Sequence, residues 1–319
     1  MRHVARIVFM GTPAFAVPSL QALLQQHTVA GVVTQPDRPA GRGRQVQEPA
    51  VKQAARAAGL PVIQPRRLRE PEAMEQLRAW APDVIVVAAF GQILRPEVLD
   101  LPLHGCLNVH ASLLPRYRGA APVAAAILAG DAQTGVTLMR MDAGLDTGPM
   151  LAQARLPIAP DDTTQTLTDR LAPLGGRLLA EKLPLYLAGE LPAQPQDEAA
   201  ATYAPQLKKD DGHLDFARPA LELERRVRAF QPWPGAFALW PEAEAPGELR
   251  PLKILRTAVV DELLDGVPPG VVAATARGPA VAAAEGALLL LEVQPPGKRP
   301  MPAADFARGA RGFLRARLR

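Results

Sequence analysis

The chain has 319 residues, 48% of them hydrophobic and 21% charged, with a net charge of +4. That length allows two cores of roughly 100–200 residues each, and the composition excludes a mainly disordered chain. A single cysteine, Cys106, excludes an internal disulfide framework, and no run of roughly 18 apolar residues is present to cross a bilayer.

The first residues, MRHVARIVFMG, have neither an apolar h-region nor a small-residue cleavage site, so no signal peptide is expected and a cytoplasmic location is the reading. Residues 6–11 (RIVFMG) form a short apolar run that reads as a strand. Helical spacing of Leu20, Leu23 and Leu24 predicts a helix over 18–26, followed by a strand over 28–34. A helix over 49–58 ends at Gly59, a short strand covers 61–64, a helix 72–80, and a continuous apolar strand 84–90. This alternation predicts βαβ units and a mostly parallel, Rossmann-like sheet. Ligands of such sheets bind beyond the carboxyl ends of the strands.

Residues 106–112 (CLNVHAS) read as a further strand, 123–129 as a helix, 135–141 as a strand and 150–158 as another. A helix over 164–187 is expected to be interrupted at Pro173. Residues 190–205, rich in Pro, Ala, Gln and acidic side chains, read as a linker. Beyond it come short strands at 214–216, 236–239, 252–260, 270–274 and 287–293, with one helix at 221–230. That pattern predicts a small β-barrel or sandwich. The expected division is therefore 1–189 for an α/β unit, 190–205 for a linker, and 206–319 for a β unit.

Asn108 and His110 lie two apart on one strand and so share a face, and Asp146 sits in the loop GLDTG. Acyl transfer to an amine needs a donor for the oxyanion and a route for the amine proton. An Asn amide, a His and a carboxylate that orients the His fit those needs. Asn-x-His by itself is equally a pair of satisfied polar residues at a strand end. No zinc-type spacing exists among the scattered histidines and Cys106, so no metal is expected.

The runs FGQIL (90–94), HASLLPRYRGAAP (110–122) and DAGLDTGPML (142–151) resemble the folate-dependent formyltransferase family. GTPAFAVPSL (11–20), TQPDRPAGRGR (34–44), RAFQPWPGA (228–236) and LLLEVQPPGKRPM (289–301) resemble its tRNA-specific branch. The resemblance implies formyl transfer from 10-formyltetrahydrofolate to the α-amine of methionyl initiator tRNA, a step of translation initiation. Asn108, His110 and Asp146 would be catalytic. Phe90, Gly91, Ile93, Leu94, Asp142 and the turn Ser112, Leu113, Leu114 and Pro115 would hold the folate. Phe9, Gly11, Thr12 and Phe15 would border the acceptor's amino-acid pocket. Thr12 follows a strand as a dinucleotide loop would, but GTPAFA lacks the later glycines of G-x-G-x-x-G, which rejects NAD. Where the family has a Gln-Arg pair, this chain has Ala124 and Ala125, and Tyr117 and Gln231 replace the usual Trp and Asn.

The polar loop 35–48 is long for a βα connection. The resemblance implies that it enters the acceptor end of the tRNA, with Arg42 as the main contact. Arg38 and Arg44 flank it, and Lys208, Lys298 and Arg299 are further candidates. Seven basic residues between 298 and 319 stand against Asp305 alone, a charge distribution suited to phosphates. Trp233 and Trp240 could stack on bases, although the PWPG turn fits a packing role. The β unit resembles an OB-like barrel. A monomer is expected. The competing readings are a related enzyme acting on a sugar nucleotide or glycinamide ribonucleotide, and a non-catalytic RNA-binding protein.

Overall fold

The computed structural model describes residues 4–40, 45–241, 249–260 and 266–319. In chain order its elements are β1 (Arg6–Gly11), α1 (Val17–Leu24), β2 (Thr28–Val33), β3 (Arg38–Ala40), β4 (Gln45–Gln47), α2 (Ala50–Ala57), β5 (Val62–Ile63), α3 (Pro71–Trp80), β6 (Val84–Ala88), α4 (Pro96–Leu99), β7 (Cys106–His110), β8 (Arg118–Gly119), α5 (Pro122–Ala129), β9 (Gln133–Arg140), β10 (Met150–Pro157), α6 (Thr164–Leu187), β11 (Tyr203–Ala204), α7 (Ala220–Ala229), β12 (Phe237–Pro241), β13 (Leu249–Val260), β14 (Val272–Thr275), β15 (Gly278–Ala282), β16 (Ala287–Gln294), β17 (Met301–Pro302) and α8 (Ala303–Gly309). They group into two compact units. The first takes the described residues of Met1–Pro122, Gln133–Pro157 and Thr168–Ala204; the second takes those of Val123–Ala132, Ile158–Leu167 and Pro205–Arg319.

The first unit is built on a seven-stranded sheet in the order β10-β9-β7-β6-β1-β2-β5. The strands from β5 to β7 are parallel, while β9 runs antiparallel to β7 and to β10. Ile7, Val8, Phe9 and Met10 of β1 and all five residues of β6 are buried, as expected of strands covered on both faces. Packing explains one interior glycine: the Trp80 indole fills the place where a Cβ on Gly31 would stand, 2.3 Å away. The chain leaves β1 toward β2 and β5, then returns to the other side of β1 as β6. The sheet order therefore reverses between β1 and β6, and a crevice opens there at the carboxyl ends. The Thr12 hydroxyl donates to the Phe90 carbonyl at 3.0 Å across it.

Three local expectations are corrected. Helix α6 is unbroken, with Pro173 and Pro184 both inside it. Its own Leu171, Leu178 and Leu179 are buried, and Val109 and Pro18 close on Gly175 and Gly176, so packing outweighs the lost hydrogen bond. The loop 35–48 contains an antiparallel pair, with Arg38 opposite Gln47 and Ala40 opposite Gln45. Residues 214–216 are not a strand, because only the Leu214 N–H reaches a neighbour, the Phe237 carbonyl at 2.9 Å.

The second unit carries an antiparallel sheet, β12-β13-β16-β15-β14 with β17 beside β16, curled into a half-barrel. Its core includes Trp240, Phe306 and Phe313 in mutual edge-to-face contact, with ring centroids 4.8–5.8 Å apart. Trp240 is thus committed to packing and offers no face to a base, whereas Trp233 is 57% exposed.

Candidate active site

Strand β7 presents Asn108 and His110 at its carboxyl end, where Asn108 pairs with Val87 of β6 and with Met139 of β9. Asp146 lies in the loop between β9 and β10 with φ of +53°, a left-handed conformation that Asp tolerates better than most residues. That backbone turns its carboxylate back onto β7. Oδ1 accepts from Asn108 Nδ2 at 3.3 Å. Oδ2 accepts from the Gly119 N–H at 2.8 Å and lies 3.6 Å from His110 Nδ1. His110 is 6% exposed, and its Nε2 lies 3.0 Å from the Tyr117 carbonyl. A carbonyl has no proton to give, so Nε2 carries one and donates it. Nδ1 then faces the carboxylate and can exchange a proton on that side.

The turn between β7 and β8 is held from several directions. Ser112 Oγ donates to the Arg116 carbonyl at 2.7 Å. Thr137 Oγ1 donates to the Ser112 carbonyl and accepts from the Leu114 N–H. Gln153 Nε2 donates to the Leu114 carbonyl at 2.8 Å. Gly119 has φ of +111°, and a Cβ there would meet the Ala204 carbonyl at 2.7 Å, so this position requires glycine. These contacts fix the Tyr117 carbonyl and the Gly119 N–H, the two backbone groups that anchor His110 and Asp146.

Sequence reasoning assigned no role to the outer part of this network. Arg118 is fully buried and meets Glu198 through two hydrogen bonds of 2.9 and 2.7 Å. Its Nε donates to Gln196 Oε1 at 3.0 Å. Gln196 Nε2 in turn donates to the carbonyls of Asp146 and Gly148, each at 2.7 Å. The hydrogen bond to Glu198 raises the Arg118 pKa, and the same bond lowers that of Glu198. Residues 196–204 thus reach the loop that carries Asp146 from some 50 positions away in sequence, within the stretch whose composition suggests a linker. No local pattern could reveal that contact. The Cys106 thiol is pushed up to about 12, chiefly by burial, which removes it as a nucleophile at neutral pH.

The expected folate segment follows β6. Phe90 and Leu94 are buried, Ile93 is 83% exposed, and Gly91 has φ of +83°. The Phe90 carbonyl accepts from Thr12 Oγ1 and from Gln35 Nε2. Asp142 is exposed and accepts from the Gly144 N–H and Thr147 Oγ1, which shapes the loop that carries Asp146. Ser112 and Leu114 are buried in the turn, and Leu113 and Pro115 are half-buried beside them. Phe9 is wholly enclosed and Phe15 nearly so. Gly11 stands where a Cβ would strike the Ala88 carbonyl at 2.9 Å. Of this group Thr12 alone directs a polar atom at the crevice.

Arg38 lies exposed on β3 with Nη2 3.1 Å from Gln35 Oε1. Arg42 and Arg44 lie outside the described residues. Both feet of the β3–β4 pair are tied to one cation: Lys52 Nζ is 2.6 Å from Asp37 Oδ2 and 2.9 Å from Glu48 Oε1, with its side chain 7% exposed. Asp37 Oδ1 also accepts from Gln64. The Lys52 and Gln64 hydrogen bonds lower the Asp37 pKa, and the Asp37 and Glu48 bonds raise that of Lys52. Lys208, Lys298 and Arg299 are exposed in the second unit. Among the described residues no cluster of His, Cys, Asp and Glu could hold a metal ion.

A parallel-dominated α/β unit thus gathers an amide, an imidazole and a carboxylate at one strand end, an arrangement suited to group transfer. The formyl transferase model matches residues 5–183, and the model of the formyl transferase C-terminal domain matches 206–311. The chain belongs to the formyl transferase family. It is 54% identical over 304 residues to the methionyl-tRNA formyltransferase of Myxococcus xanthus, covering 95% of each chain. To the methionyl-tRNA formyltransferase of Roseiflexus sp. it is 52% identical over 308 residues, covering 96% of this chain and 93% of that one. Among solved structures, the sugar 3N-formyl transferase WlaRD, crystallised with dTDP and 5-N-formyl-THF, shares the fold with a TM-score of 0.65 at 18% identity, over 93% of this chain and all of that one. HypX from Aquifex aeolicus in complex with tetrahydrofolic acid superposes with a TM-score of 0.61 at 17% identity, over 95% of this chain and 46% of that one.

Proposed function

We propose that this enzyme transfers the formyl group of 10-formyltetrahydrofolate to the α-amine of methionyl initiator tRNA. Near-full-length likeness to methionyl-tRNA formyltransferases supports the acceptor, and fold neighbours that bind formylated or reduced folates support the donor class. The observation that carries the chemistry is the gathering of Asn108, His110 and Asp146 around one carboxylate.

The folate supplies an activated formyl group on N10. In the transfer, the carbon–N10 bond breaks, a bond to the acceptor nitrogen forms, and one amine proton is passed on to the leaving N10. Asn108 spends one amide proton on Asp146 and keeps the other for the oxygen of the tetrahedral intermediate. His110 is oriented by the Tyr117 carbonyl, so its Nδ1 edge and the Asp146 carboxylate form the relay for the amine proton. Charge on the intermediate is stabilised by protonated His110 together with Asn108. Phe90, Gly91, Ile93, Leu94, Asp142 and the turn at 112–115 hold the folate. Phe9, Gly11, Thr12 and Phe15 shape the methionyl pocket, the phenylalanines by packing. Arg38, Arg42 and Arg44 contact the acceptor end, and Lys208, Lys298 and Arg299 contact phosphates elsewhere. In this reading residues 1–189 carry catalysis, 190–205 connect, and 206–319 bind RNA. The enzyme acts as a cytoplasmic monomer; no helix among the described residues is long and apolar enough to cross a membrane.

The test is a formylation assay with methionyl initiator tRNA beside amino-sugar nucleotides and glycinamide ribonucleotide. Formylmethionyl-tRNA as the main product is expected. Transfer to a small amine with none to the tRNA overturns the reading. Arg42→Ala should raise KM for tRNA and leave KM for folate unchanged; equal effects on both remove that role.

A further inference from the structure

Gln35 follows β2 in the first unit, and every polar group it carries is engaged. Its backbone N–H donates to Thr12 Oγ1 at 3.4 Å, and its backbone carbonyl accepts from Gln64 Nε2 at 2.9 Å. The side-chain amide is used at both ends. Nε2 donates to the Phe90 carbonyl at 3.3 Å, and Oε1 accepts from Arg38 Nη2 at 3.1 Å. The same Nε2 lies 3.9 Å from the place a Cβ on Gly91 would take, so it rests against bare backbone there. Thr12 Oγ1 closes the group by donating to the Phe90 carbonyl at 3.0 Å. Half-buried Gln35 thus bonds to a residue from each proposed subsite: Phe90 of the folate segment, Thr12 of the methionyl pocket and Arg38 of the RNA-facing hairpin.

An amide is planar, so holding one end of it fixes the other. A folate seated on residues 90–94 immobilises the Phe90 carbonyl and, through it, the Gln35 side chain. That presents Oε1 to Arg38 in one place. Arg38 is exposed, and among the described residues its side chain has no other hydrogen bond or ion pair. A guanidinium carries several N–H donors in one plane; Arg38 uses one on Gln35 and keeps the rest for phosphate. RNA that meets an arginine already held loses less freedom on binding. Lys52 anchors the hairpin by a separate tie, to Asp37 and Glu48.

We infer that Gln35 is a positioning residue that couples the two substrates: bound folate tightens methionyl-tRNA, and bound methionyl-tRNA tightens folate by the same factor. The equality of the two factors is a thermodynamic necessity. The inference rests on the reading that residues 90–94 hold the folate and that Arg38 meets the acceptor RNA. Its consequence is an order of capture. The donor-loaded enzyme takes up charged tRNA in preference to the empty enzyme, which would hold the acceptor with no formyl group to transfer.

The experiment measures Kd for methionyl initiator tRNA with and without saturating 5-formyltetrahydrofolate, which carries its formyl group on N5 and so occupies the donor site without transfer. In the parent enzyme the folate should lower Kd for the tRNA by about fivefold, the low end of couplings between sites. Gln35→Glu keeps an oxygen for Arg38 but turns a second oxygen on the Phe90 carbonyl, and Gln35→Met breaks both links at similar length. In each, folate should no longer change Kd for the tRNA, while folate still binds in the absence of tRNA, which shows that the variant is folded. Arg38→Met cuts the link at its exposed end and should abolish the effect as well. Lys52→Met should weaken the tRNA alike with and without folate and so keep the ratio, as any merely structural lesion would. A parent Kd that ignores the folate overturns the coupling, as does a ratio that survives in the Gln35 variants or in Arg38→Met. A ratio lost equally in Lys52→Met would assign the effect to the hairpin as a whole and overturn the role of Gln35. Tight tRNA binding that ignores the folate keeps the proposed acceptor and removes the coupling alone; no tRNA binding in either condition removes both.

Discussion

Asp146→Asn is the sharpest perturbation of the proposed catalytic centre, because the replacement keeps shape and changes only which atoms accept. The Asp146 carboxylate takes protons from Asn108 Nδ2 and from the Gly119 N–H, and faces His110 Nδ1. An amide has one accepting oxygen. If that oxygen meets Gly119, its NH2 opposes the Asn108 NH2; if it meets Asn108, its NH2 opposes the Gly119 N–H. Losing one hydrogen bond to a charged group costs about 1.5–3 kcal/mol of stability. The conflict can relax if Asn108 rotates its own amide by half a turn. That rotation replaces the proton kept for the oxyanion by a carbonyl lone pair, so activity falls even where stability recovers. Backbone strain is not a confounder, since Asn tolerates the left-handed conformation as well as Asp. Loss of the oxyanion donor or of the oriented imidazole predicts a fall in kcat of about 10²–10⁴. The assay is steady-state formylation of methionyl-tRNA, run beside denaturant unfolding of the same protein. A variant whose kcat stays within about threefold of the parent refutes the role given to this carboxylate.

Lys52→Met removes the cation that ties Asp37 to Glu48, so the β3–β4 pair loses its anchor while the catalytic trio is untouched; KM for methionyl-tRNA should rise on the order of tenfold with KM for folate unchanged, and parallel shifts in both would refute an RNA-positioning role. Glu198→Gln tests the outer network through pH. The pKa of Glu198 is lowered from its ordinary 4.5 by Arg118, so its stabilising effect is fully present above about pH 4.5 and is lost as pH falls through the lowered value. The gap in Tm between parent and variant should therefore shrink on acidification, modestly because the carboxylate is largely exposed; a gap constant across pH would show that the pair contributes through shape alone.

Much of the first unit was legible in the sequence because its strands are buried on both faces and read as unbroken apolar runs. RIVFMG and VIVVA differ too little from any other buried strand to be missed. Strand β15, GPAVA, was not anticipated, since a Gly-Pro start and small residues carry no strand signature; pairing with β14 and β16 makes it one. The pair β3–β4 escaped for a similar reason, as a short polar hairpin has no apolar face to alternate.

For the candidate site, the sequence by itself determined the chemical inventory and one geometric fact: Asn108 and His110, two apart on a strand, share a face. It determined no distance to Asp146. Only the tertiary structure decided that the left-handed backbone at Asp146 turns the carboxylate onto β7. It alone decided that Gln196, Arg118 and Glu198 brace that loop from far along the chain, and that Trp240 is spent on the core. The physical reason is the reach of each signal. Strand periodicity is written in neighbouring residues, whereas a hydrogen bond between positions 50 apart depends on how two separately formed segments pack, which no local pattern encodes.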